Sequence, residues 1–290
     1  MGKLKKLGCS LLALLLVLCF AGQNAGSVVK AEEAANSLYQ VRVNRAANCV
    51  TVYQLDEQGV YQPLRSFACS VGKNVEDTPL GSFATSDYYD WRLMVDGSYG
   101  QYAVRFYRSI LFHSVPYYTQ SPNSLESDQY NLLGSAASLG CVRMAVSDVK
   151  WIYDNCPKGT SVIVYDDALN PGPLGKPATV TVAEGHPFSS WDMTDLRPEN
   201  PWRTYASTIC LTKDYGDGVL YLPVGATQED LQAAIGAISN AGVLETPNTY
   251  FVYVNGNYDL NTSGVYRIWV KIVNAYGVST EQEMILAVCQ

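Results

Sequence analysis

Two histidines, His113 and His186, are all the imidazole that the 290 residues supply. They stand far apart, and the eight cysteines include no Cys-x-x-Cys spacing. Zinc centres are assembled from such clusters, so zinc fits poorly, and no metal or other cofactor is expected. Basic residues are also in deficit: 20 Lys and Arg against 27 Asp and Glu leave a net charge of −7. Residues 1–31 hold four lysines and no acid, so their removal deepens the charge to 16 − 27 = −11. Nucleic acid and anionic membrane surfaces both select basic patches, which sets them aside as partners. Phenylalanine is scarce, 7 residues against 21 tyrosines, a bias that suits strands with half-wet faces. No internal repeat is apparent.

What is present begins with a segment that reads as a secretory signal. Three lysines by position 6 precede an apolar run from Leu7 to Gly22, and small and polar residues follow to Ala31. The run falls short of the ~20 residues of a spanning helix. Export to the cell exterior, with cleavage after Ala25 or Ala31, is therefore expected, and an uncleaved membrane anchor is the alternative. No stable membrane insertion is expected after cleavage.

From Tyr39 to Phe83 the chain reads as strands, with Asp56-Glu57-Gln58-Gly59 as a hairpin turn. Tyr88–Trp91, Tyr102–Phe106 and Ile110–Phe112 continue the β pattern up to His113. After Cys141, a helix is expected over 146–153 with Ser147 as its N-cap, and Ser161–Tyr165 is a closing strand. Residues 169–177, rich in Pro and Gly, read as a linker between a catalytic domain (38–168) and an accessory domain (178–290). The accessory part is expected to be β-sandwich-like with one helix, Thr227–Asn240, opened by a capping box at Thr227 and Asp230. Its first strand is expected at 178–182. The fold class is thus mainly β.

The run Ser138-Leu139-Gly140-Cys141-Val142-Arg143-Met144 carries the chemistry. A thiol after a glycine is presented for attack, and it needs a base to raise the thiolate fraction. His186, beside Pro187 in a turn beyond the linker, reads as a surface histidine, which leaves His113 at the end of an apolar strand. Backbone N–H groups of Gly140 and Cys141 suit an oxyanion, helped by the positive end of a following helix. Arg143 suits a substrate carboxylate or, equally, ties down its own loop. Between His113 and Cys141 lie Tyr117 and the polar stretch 121–128, read as a substrate-contacting flap or a plain surface loop. Of the six cysteines left after signal removal, Cys49 and Cys69 are the candidate disulfide, which needs a longer hairpin loop or a bulge near Pro63 to come into register.

Phe112-His113-Ser114, Ser138 to Met144, the Thr78-Pro79-Leu80-Gly81 segment and the strand Ser161–Tyr165 together resemble the L,D-transpeptidase catalytic domain, or YkuD domain, over residues 38–166. The resemblance implies a β-rich fold and an exported enzyme acting on peptidoglycan stem peptides. It implies Cys141 as nucleophile, His113 as base and Ser114 as orienting group through its carbonyl. Gly140 and Cys141 become oxyanion donors, and Arg143, Ser138, Leu139 and Tyr117 substrate contacts. Leu139 departs from the histidine usual at its place. The implied reaction forms an acyl-enzyme from a stem tetrapeptide, releases D-alanine and passes the acyl group to an amine. Transfer to water, an L,D-carboxypeptidase, and a decayed wall-binding protein are the alternatives. The last strands of residues 178–290 are weakly similar to Ig-like surface modules.

Overall fold

The computed structural model describes residues 37–247 and 249–290. The expected signal or anchor segment, with its cleavage sites, lies outside the described residues. The chain runs β1 (Tyr39–Asn44), β2 (Cys49–Leu55), β3 (Tyr61–Ser70), β4 (Gly81–Ala84), β5 (Tyr88–Leu93), β6 (Tyr99–Tyr107) and β7 (Ile110–Ser114). The short helix α1 (Ser127–Tyr130), β8 (Val142–Met144), α2 (Val146–Asn155) and β9 (Ser161–Tyr165) complete this part. Its nine strands form one sheet in the order β4-β9-β1-β2-β3-β8-β7-β6-β5. Alternate residues such as Val41, Val43, Val50 and Val52 are fully buried, and they join Phe112, Met144, Val149 and Ile152 in one core. Burying such branched side chains contributes about 1.5–3 kcal/mol each, which is why the period-2 pattern dictates strands here.

The β2–β3 hairpin closes as the sequence predicts, with the Asp56 carboxylate accepting from the amides of Gln58 and Val60 at 3.0 and 2.7 Å. Pairing slips between Val52, opposite Arg65, and Tyr53, opposite Pro63. That bulge is where a proline without an amide proton belongs. It brings Cys49 opposite Ala68, one residue short of Cys69, so the two thiols fall on opposite faces and both are free. The expected disulfide is absent, and Cys49 Sγ lies 3.4 Å from Ser66 Oγ instead.

The helix expected over 146–153 forms as α2, with β8 between it and Cys141. The N-cap of α2 is Ala145, not Ser147, and its side chain cannot cap. Asp192 Oδ2 accepts from the Val146 amide at 2.9 Å and Thr194 Oγ1 from the Ser147 amide at 3.0 Å. The orphan donors of this helix are thus satisfied from 46 residues downstream.

The remaining chain contains β10 (Thr208–Leu211), β11 (Val219–Pro223), α3 (Gln228–Ala233), β12 (Ile235–Ile238), β13 (Tyr250–Asn255), β14 (Gly264–Asn274) and β15 (Ser279–Cys289). A four-stranded sheet, β11-β15-β14-β13, and a two-stranded one, β10-β12, share a second core around Leu231, Ile268, Ile272 and Leu286. The capping box at Thr227 and Asp230 is formed. The helix it opens ends at Ala233, whereas the sequence suggests Asn240. Gly236 accounts for the change: a Cβ there would lie 2.8 Å from Cys210 Sγ, so its absence lets β12 pair closely with β10. The strand expected over 178–182 is not formed; the side-chain amide of Asn131 donates to the Val182 carbonyl at 2.9 Å and accepts from the Val182 amide at 2.7 Å. Lys271 pairs with Asp148 at 3.2 Å, and Arg65 pairs with Glu281, joining this sheet to the larger one.

Candidate active site

Strands β7 and β8 run parallel, with His113 opposite Arg143. Cys141 lies two residues before Arg143, on the same face as His113 by the alternation of a strand. Both line a cavity of about 130 Å³, with Ser138, Leu139 and Arg143 on one side and the β5–β6 hairpin, including Met94 and Asp96, on the other. The thiol is not yet aimed at the imidazole: Sγ lies 3.7 Å from the Ser109 carbonyl.

The loop before Cys141 is fixed from several directions. Ser138 Oγ donates to the Cys141 carbonyl at 2.6 Å and accepts from the Gly140 amide at 3.0 Å. Gly140 therefore does not offer the free N–H expected of an oxyanion donor. Thr78 Oγ1 donates to the Gly140 carbonyl at 2.7 Å and accepts from the Gly72 amide at 3.0 Å. Gly140 adopts φ +123°, and a Cβ there would meet the Asp77 carbonyl oxygen at 2.5 Å. Glycine is required on both counts. The helix-end contribution to the oxyanion is displaced as well, since α2 begins five residues after Cys141.

His113 is almost wholly buried, and its Nδ1 has no hydrogen-bond partner. The Ser114 carbonyl stands close enough to the ring to favour its protonated form, but no hydrogen bond of good geometry joins it to Nδ1. Ser114 Oγ is committed elsewhere, accepting from the Gln101 amide at 2.8 Å and donating to the Val115 carbonyl at 2.8 Å. Gly100 of β6 packs against the ring: a Cβ at this position would lie 2.7 Å from Nδ1 and 3.1 Å from the histidine Cβ. The ring is held by packing against bare backbone. Sequence reasoning passed over Gly100, although an isolated glycine within a strand signals close approach of a neighbour. Thr78 was visible only as part of the Thr78-Pro79-Leu80-Gly81 segment, with no role of its own.

Arg143 lines the cavity wall with Nη1 on Gln129 Oε1 at 3.0 Å and on the Ala137 carbonyl at 3.3 Å, and Nη2 lies 3.8 Å from Asp96. It ties the flap to the nucleophile loop. Leu139 is 61% exposed and forms the rim. Tyr117 is a correction: it is fully buried against Trp91, with their ring centroids 5.3 Å apart, and does not reach the cavity. The backbone of Tyr117 bonds to Tyr99, which turns its side chain inward. His186 lies away from the site, stacked on Trp202 at 4.4 Å. Among the described residues, no group of three or more His, Cys, Asp and Glu gathers as a metal site.

Residues 38–164 match the family described as the L,D-transpeptidase catalytic domain, YkuD. This segment is similar to the YkuD domain. YciB of Bacillus subtilis, named for the same family, is 41% identical over 54 residues, 19% of this chain and 27% of that protein. An L,D-transpeptidase from Mycobacterium tuberculosis is similar at 23% identity, covering 44% of this chain and 58% of that one with a TM-score of 0.35. A fused Zn-dependent amidase/peptidase from Clostridium acetobutylicum covers 44% of this chain and 52% of its own at 24% identity and the same TM-score. The chain thus spans about a quarter of the curated relative and just over half of these solved ones. The YkuD match ends within β9, so the β10–β15 region lies beyond it.

Electrostatics of the YkuD site set its resting protonation. Burial, reinforced by the Arg143 guanidinium, pulls the His113 imidazole down to about 3. Burial also pushes the Cys141 thiol up, opposed by the Leu111 backbone and the charge of Arg143. A lowered imidazole is neutral across the physiological range, so no imidazolium stands by to hold a thiolate. The resting pair is therefore thiol and neutral imidazole. Alkylation of Cys141 by iodoacetamide, followed by peptide mass, is expected to rise with pH through a single step above the ordinary thiol range. It should show no inflection near the ordinary imidazole value of about 6.5. A rate plateau already reached at neutral pH would contradict this protonation state.

Proposed function

We propose that the protein is an exported peptidoglycan L,D-transpeptidase in which Cys141 is the nucleophile and His113 its general base. The observation that carries this reading is that His113 on β7 and Cys141, just before the parallel strand β8, line one cavity with an exposed rim. Neutral His113 accepts the thiol proton as Sγ attacks the donor carbonyl of a stem tetrapeptide. A C–S bond forms, the oxyanion is received by the Cys141 amide, and the C–N bond to the terminal D-alanine breaks. The imidazolium returns its proton to the departing amine. An acceptor amine then attacks the thioester, loses a proton to His113, and the thiol is regenerated. Arg143 orients the flap beside the donor, and Leu139 makes an apolar contact where a polar one is usual. Water in place of the amine makes the same site a carboxypeptidase.

Intact mass after exposure to a carbapenem tests the nucleophile. The wild type is expected to gain one adduct, Cys141→Ala none, and His113→Ala to acylate about 100-fold or more slowly, the usual range for loss of a general base. A wild type that gains no adduct removes the reading and favours a decayed wall-binding protein. Incubation with cell-wall fragments then separates cross-linked products from trimmed ones.

A further inference from the structure

A second and larger cavity, about 520 Å³, lies between the nine-stranded sheet and the β11-β15-β14-β13 sheet, and its lining shares no residue with the Cys141 cavity. The volume falls in the range of small-ligand sites, roughly 300–1,000 Å³. Its charged lining is self-neutralising: Arg65 pairs with Glu281, and Lys271 with Asp148. Two cations against two anions leave no spare charge to recognise an anionic or cationic ligand. Polar capacity is left over, however. Arg65 is 3% exposed and held between the rings of Trp151 and Trp269, 4.9 and 5.1 Å from their centroids, yet its Nε has no partner. Asn255 is 9% exposed and lines the cavity. Native structures seldom leave a buried group such as the Arg65 Nε unpaired, because it costs about 1–3 kcal/mol.

The rest of the wall fixes the kind of ligand. Tyr253 and Tyr258 present rings, and Asn257 and Gln228 present amides at the exposed rim. Amides that both donate and accept suit hydroxyl and acetamido groups, and tyrosine faces suit the apolar side of a sugar ring. A peptide adding to β13 as a further strand is disfavoured. The Val252 carbonyl on that strand already accepts from Gln232 Nε2 at 3.0 Å. We propose that this cavity binds an uncharged oligosaccharide, with Asn255, Asn257 and Arg65 supplying the hydrogen bonds and Tyr258 a stacking face.

The inference is independent of the chemistry at Cys141, and the two are tested separately. Calorimetric titration of the full chain with tetra-N-acetylchitotetraose is expected to show saturable binding. Asn255→Ala should weaken it roughly ten-fold, as loss of paired polar contacts does, and Asn257→Ala at the exposed rim should weaken it as well. The rim variant removes no buried group, so it remains informative if Asn255→Ala fails to fold. No saturable binding by the wild type overturns the proposal, as does wild-type affinity in the Asn257 variant. Binding of an uncharged acetyl-trialanine amide in place of the sugar overturns it too. Carbapenem acylation, read in the same samples, reports on Cys141 alone.

Discussion

Gly100→Val is expected to slow acylation of Cys141 about 100-fold or more, although neither reacting group is altered. The cause is steric. A Cβ at Gly100 would stand 2.7 Å from His113 Nδ1 and 2.6 Å from Met94 Cε. The methionine tip is flexible and moves aside at little cost. The imidazole cannot, because it is buried and its Cβ lies only 3.1 Å from the same point. Insertion into a packed site costs about 1–3 kcal/mol, and a reacting group displaced by about 1 Å loses on the order of 100-fold in rate. Gly100→Ala should show a smaller version of the same defect, and adding Met94→Ala to it should not restore the rate. The measurement is the time course of carbapenem adduct formation, with thermal unfolding run beside it to confirm folding. Recovery of the wild-type rate in the double variant would show that Met94, not the histidine, bears the clash.

The case of Gly100 shows which parts of the site sequence reasoning reaches. His113 and Cys141 were legible because histidine is so scarce and because the apolar run Ile110–Phe112 marks a strand that must end at the site. Strands β1 to β3 were legible from alternation within each segment. What escaped depends on contacts between distant segments. The cap of α2 comes from Asp192 and Thr194, and no local pattern points there. Leu231, Ile235 and Ile238 fit a helical stripe, yet Ile235 and Ala237 alternate into the core as strand β12 once β10 is beside it. Cys49 and Cys69 lay close enough in the hairpin to suggest a bridge, and one residue of register put them on opposite faces. Tyr117 resembles a flap residue by position and is core by packing. The resemblance suggested the roles, and the structure changes one of them: Gly140 spends its amide on Ser138, while Gly100 adds a close packing contact to His113 that no motif marks.

The reassignment of Gly140 makes Thr78 the residue on which the nucleophile loop depends, and Thr78→Val is expected to destabilise the protein by about 2–5 kcal/mol. Thr78 is fully buried, and its one hydroxyl serves two backbone groups, the Gly72 amide and the Gly140 carbonyl. Valine keeps the shape and removes both bonds, leaving a buried donor and a buried acceptor unpaired. The turn that presents Thr78 is itself held by Arg45, whose Nη1 donates to the carbonyls of Val75 and Thr78 at 2.7 and 2.8 Å. Arg45 is in turn paired with Asp166 at 2.9 Å, just after β9. A line of hydrogen bonds thus runs from the sheet edge to the peptide preceding Cys141. Cutting it at Thr78 frees the Gly140 peptide to rotate, and the thiol with it. Denaturant unfolding should report the loss of stability, and the acylation rate should fall beyond what the unfolded fraction explains. Thr78→Ser, which keeps the hydroxyl, should restore most of both. If the serine variant behaves as the valine variant does, the methyl group rather than the hydroxyl holds the loop, and the hydrogen-bonded line does not position Cys141.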